Sequence, residues 1–126
     1  MALESIFLIF VSVGVFSAAL GYGVFPSKSL PFLYDISLTN KNMANIFRAV
    51  TGLYIAFAVF WFLSAFHIEL YFSAILSLIL FMSGIAFGRI ASIILDGLPD
   101  IIIVAYLIME LVLLSMGYFL TVSYTH

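Results

Sequence analysis

The stretch "IIIVAYLIMELVLLSMGYFLTV", residues 101–122, decides what kind of protein this is. Its one formally charged residue is Glu110, set in the middle of an otherwise oily run. About 20 apolar residues in a helix, at ~1.5 Å each, cross the ~30 Å of a bilayer's hydrocarbon. Three further stretches read the same way, at about residues 3–24, 43–66 and 70–95. In lipid every backbone amide must bond within its own segment, so all four are expected to be helices.

Composition agrees. The chain has 126 residues, of which 66% are hydrophobic and only 8% charged. A soluble domain of this size needs far more charge to cover its surface. The expectation is therefore all-α: an integral membrane four-helix bundle, antiparallel and in one domain. A net charge of -2 and the lack of any basic cluster leave nothing to grip a nucleic acid. There is no cysteine, so thiol chemistry and Cys-ligated metals are excluded. The opening "MALESIFLIFVSVGVFSAAL" lacks the positive n-region of a signal peptide and reads as a retained first helix.

The breaks between segments have their own chemistry. Gly21, Gly23 and Pro26 end the first helix. The stretch "FPSKSLPFLYDISLTNKN", residues 25–42, is the one long connection. Its Phe25, Phe32, Leu33 and Tyr34 suit a short interfacial segment, and Asn40 or Asn42 suits a cap for the second helix. "HIEL" joins helices two and three, and "LDGLPD" joins three and four. In the latter, Gly97 suits a left-handed C-cap and Pro99 an early helical position. Lys28 and Lys41 lie at the long-connection face, and Arg48 and Arg89 are nearer to it than to the other. By the positive-inside rule that face is cytoplasmic and both termini lie outside. Two stripes of small residues, Gly14–Ala18–Gly21 and Gly84–Gly88–Ser92, suit close helix packing within the chain or a homodimer seam.

Charge placement carries the functional reading. Glu110 is ten residues past Asp100, about 15 Å into the membrane. Arg48 and Arg89 lie on the order of 8–10 Å inside the same face. Charges facing lipid at such depth cost from ~3 to over 10 kcal/mol. The economical arrangement turns all three inward and pairs Glu110 with Arg48, Arg89 or both. Helical spacing adds Tyr106 one turn before Glu110, Asn45 and Thr51 either side of Arg48, and Ser92 and Asp96 after Arg89. Two readings follow. In one, these charges are glue, with the arginines snorkelling and Glu110 protonated. In the other, Asn45, Arg48, Thr51, Arg89, Ser92, Asp96, Tyr106 and Glu110 form a pocket for an anionic lipid or amphiphile, since arginine's planar fork suits phosphate or carboxylate.

At these residues the chain resembles a known family. "NIFRAVTGLY" (45–54), "FGR" (87–89), "LDGLP" (95–99) and the late Glu110 together look like the small bacterial four-helix inner-membrane proteins grouped as a domain of unknown function, DUF4345. The resemblance implies a bacterial inner-membrane location and the four-helix fold, and implies no activity. Small multidrug transporters are similar in length, but carry their membrane glutamate in the first helix, whereas here it is in the fourth.

No GxSxG, P-loop or metal-spaced histidines are present, so neither an enzyme nor a cofactor is expected. His67 falls in a turn and is expected at the interface. Besides lipid binding, two roles compete: an accessory subunit of a larger membrane complex, with a membrane protein or a second copy as partner, and proton-coupled transport through Glu110.

Overall fold

The computed structural model describes residues 2–23, 31 and 41–125. Among the described residues it is all-α. There, four long helices run over Leu3–Gly23 (α1), Lys41–Ser64 (α2), Tyr71–Asp96 (α3) and Ile101–Thr125 (α4), with a 3-10 turn at Ile68–Leu70 before α3. All four are long and apolar enough to cross a membrane. The chain divides into two compact units, Met1–His67 and Ile68–His126. Among the described elements each unit is a helical hairpin, α1 with α2 and α3 with α4. The interfacial segment expected between the first two helices, and Asn40 with it, lies outside the described residues. Asn42 falls inside the first turn of α2 and does not precede it.

The first hairpin is antiparallel: Ser5 meets Ala65 at one end, and Ala19 meets Thr51 at the other. The buried face of α1 includes Ser5, Leu8, Ser12, Val15 and Ala19, recurring at three and four residues as one face of a helix must, with Phe7 and Val11 beside them. Glycine spacing pointed to a different stripe, through Gly14. That position is exposed, and a Cβ there would meet nothing within 4 Å. Lipid gives helices no hydrophobic reason to associate, so close packing and cross-helix hydrogen bonds must do it. The Ser5 hydroxyl donates to the Ala65 carbonyl at 2.6 Å. Ala65 lies just past the end of α2, where helical carbonyls lack partners from their own helix. Ser5→Ala is expected to lower stability by roughly 0.5–1.5 kcal/mol, the usual worth of such a bond in lipid. Unfolding in mixed micelles measures it. At the same end the exposed His67 ring, through Nδ1, donates to the Leu63 carbonyl at 2.8 Å.

In the second hairpin the buried stripe of α3 runs through Tyr71, Ile75, Leu78, Met82 and Ala86. It faces a stripe of α4 that includes Leu107, Glu110, Leu113 and Leu120. Four residues, 97–100, turn the chain. Gly97 has φ 96° and ψ 179°, and its N–H donates to the Ile93 carbonyl at 3.1 Å. That conformation has positive φ, as a C-cap glycine suggests, but an extended ψ that essentially only glycine adopts. Gly97→Ala is expected to cost about 1–3 kcal/mol, read as a lower thermal midpoint in detergent. Pro99 precedes α4 and does not enter it; the Asp100 carbonyl accepts the first bonds, from the N–H groups of Ile103 and Val104.

Candidate functional site

Arg89 sits one turn past Ala86, on the buried stripe of α3, and Glu110 lies on the facing stripe of α4. The two meet as a fork. Arg89 Nε donates to Glu110 Oε1 at 2.9 Å, and Nη2 donates to Oε2 at 3.3 Å. Only 18% and 8% of the two side chains remain exposed. The side-on edge of a guanidinium matches the spacing of carboxylate oxygens, which a lysine could not do. Tyr106, one turn before Glu110, brings its ring to 5.8 Å from the guanidinium carbon, within cation–π range. The pair is neutral as a unit. It sits well inside both helices, nine residues past the start of α4 and seven before the end of α3.

The other expected site residues have different circumstances. Ser92 donates its hydroxyl to Asp96 Oδ2 at 3.0 Å along their own helix, and both are exposed. Thr51 is buried and turns to the α1 seam. Its hydroxyl donates to the Phe47 carbonyl at 2.8 Å and lies 3.5 Å from the Ala19 carbonyl. Arg48 and Asn45 are exposed on α2. Thus the structure unites Arg89, Glu110 and Tyr106 in one hairpin, and sets Asn45 and Arg48 together on the other. Thr51 belongs to helix packing.

Lys41 was missed as a partner of these two. It lies one turn before Asn45, and Arg48 one turn after, so the three share a face at spacings of four and three. All are exposed, and Lys41 and Asn45 line a concavity at the helix start with Asn42 and Ile46. The signal was present in the spacing, but Lys41 reads as part of the connection when the helix is started at residue 43.

Fold and site together define a multi-pass α-helical membrane protein that carries a neutralised ion pair inside one hairpin and a basic face on another helix. Residues 3–121 match the family described as "Domain of unknown function (DUF4345)", and the chain belongs to that family. No curated protein and no solved structure matches it.

Proposed function

We propose that this protein binds an anionic lipid or amphiphile, with the headgroup held by Arg48 together with Lys41 and Asn45. The observation that carries the reading is the difference between the two arginines. Arg89 commits two of its donors to Glu110 in a fork that neutralises both. Arg48 stands exposed one helical turn from an amide and two from an ammonium. A guanidinium, an ammonium and a carboxamide on one face offer donors of the kind phosphate oxygens accept. Arg48 is seven residues inside α2, about 10 Å, where a side chain can snorkel to headgroup level. On this reading the Arg89–Glu110 pair holds the second hairpin together and does not contact the ligand.

The location proposed with it is the inner membrane of a bacterium, with both termini on the outer side. Lys41 and Arg48, both near the start of α2, support that orientation.

Lipid retention tests the proposal. The purified chain in mild detergent is expected to hold added phosphatidylglycerol in native mass spectra, and Arg48→Ala to lose it. Equal retention by wild type and variant would exclude the site. The accessory-subunit reading has its own support in Gly84 and Gly88, which are exposed on α3 and open beyond 4 Å where a Cβ would stand. Substitution of both by leucine is expected to abolish capture of any membrane partner on that reading, and to leave lipid retention intact. Proton-coupled transport is less favoured, because both Glu110 oxygens are already engaged by Arg89.

A further inference from the structure

The face that carries Arg48 continues along α2 without a change of register. Lys41, Asn45 and Arg48 are followed by Gly52, then Ile55, Val59 and Phe62, each step three or four residues. The stripe begins cationic, passes a glycine, and ends apolar. At its apolar end lies a groove between α1 and α2. Val59, Phe62 and Leu63 form one wall, Val13 and Phe16 the other, and the buried Ala58 lies beneath. Two serines also line it, but each hydroxyl is turned to its own helix: Ser12 donates to the Ile9 carbonyl at 2.8 Å and Ser17 to the Val13 carbonyl at 2.9 Å. The groove therefore presents carbon to its occupant. From the start of α2, the level to which Arg48 snorkels, to Ala58 at the near end of the groove is about 25 Å along the axis, a distance that calls for a long, extended tail.

We propose that the groove seats an acyl chain of the same phospholipid whose phosphate Arg48 holds, so that the ligand is a long-chain anionic phospholipid lying along one face of the first hairpin. This rests on the headgroup reading above and adds the chain to it. The argument is one of complementarity. A phospholipid has an anionic end and an apolar tail in line, and the stripe has a cationic end and an apolar groove in line. Gly52 lies on the route between them. It is exposed, and a Cβ built there meets nothing within 4 Å, so the face is low at that point. A larger side chain at 52 would stand in the path of the tail without disturbing the helix pair.

The test uses the full chain in mild detergent, with native mass spectra recorded after adding dipalmitoyl or dihexanoyl phosphatidylglycerol. Wild type is expected to hold the long-chain lipid about tenfold more tightly than the short one, the worth of roughly two buried methylenes. Gly52→Leu and Val59→Trp, each at an exposed position, are expected to bring long-chain binding down to the short-chain level and to leave short-chain binding as it was. Arg48→Ala is expected to weaken both lipids. Long-chain binding unchanged in both Gly52→Leu and Val59→Trp overturns the chain seat while leaving the headgroup site standing. Loss of a dimer in Val59→Trp with lipid binding intact also overturns it, because the groove would then take a second copy. If Arg48→Ala binds both lipids as wild type does, the headgroup site fails and the proposed ligand with it.

Discussion

Glu110→Leu is expected to destabilise the second hairpin by about 3–5 kcal/mol, the range found when one partner of a buried ion pair is removed. The loss would come less from the missing attraction than from what remains. Arg89 keeps its charge, sits 82% covered by its surroundings, and loses the carboxylate that received its Nε and Nη2 protons. Unfolding of the chain by rising anionic detergent in mixed micelles reads the effect directly. Arg89→Met is expected to act in the same direction, since it leaves a carboxylate at 8% exposure facing the apolar stripe of α3. The informative variant is the double one. Arg89→Met with Glu110→Leu removes both charges, and hydrophobic side chains of similar volume often replace a buried pair at little net cost. It should recover most of the lost stability. Because the pair is assigned to holding helices and not to ligand, the recovered protein should also retain phosphatidylglycerol. A double variant that is stable yet empty of lipid would move Arg89 and Glu110 back into the binding site.

Arg48→Ala carries the second large effect. A hydrogen bond between charged groups contributes about 1.5–3 kcal/mol, which corresponds to roughly a tenfold to a hundredfold loss in affinity for the anionic headgroup. Arg48→Lys should lose less, as it keeps the charge but gives up the planar fork. Lys41→Ala should lose less still, because its ammonium lies at the helix start, where water screens it. The same variants should weaken a zwitterionic lipid less, because its choline already offsets the phosphodiester charge that they contact. Their stability should match wild type within about 0.5 kcal/mol, since Arg48 and Lys41 are exposed. A titration with phosphatidylglycerol against phosphatidylcholine separates these outcomes, and equal losses for both lipids would mean that the headgroup charge is not what is recognised.

The fold was legible because the bilayer leaves so few alternatives. A run such as residues 101–122, with a single charge in it, has no other stable form in hydrocarbon than a helix. Helix ends were legible to within a residue or two where glycine and proline punctuate them, as at Gly97. Pro99 was misplaced by two positions, because an Asp immediately after it supplies the carbonyl on which α4 starts. The stripe Gly14–Ala18–Gly21 does not form the seam of α1 with α2: that seam runs through Ser5, Leu8, Ser12, Val15 and Ala19, and Gly14 lies away from it.

The pairing of Glu110 with Arg89 was one of three options open to the sequence. Depth alone placed both arginines within reach, and nothing in local spacing distinguished them. What distinguishes them is register on the buried stripe: Arg89 continues Met82 and Ala86, whereas Arg48 leaves the face marked by Thr51 and Ala58. A helical wheel drawn on buried positions shows this, but the buried positions must first be known. In chains where every face is oily, hydrophobic periodicity says little about which face turns inward.

The separation of the forked pair along the chain, 21 residues, bears on how the protein is made. Ribosomes add about 5–20 residues per second, so Arg89 joins the chain, and later leaves the ribosome, roughly one to four seconds ahead of Glu110. During that interval α3 carries a guanidinium that no helix-four carboxylate can yet neutralise, and its residence in hydrocarbon is costly. Entry of this segment therefore becomes less costly once its follower arrives. Insertion of the two helices as a couple brings the guanidinium into hydrocarbon already neutralised.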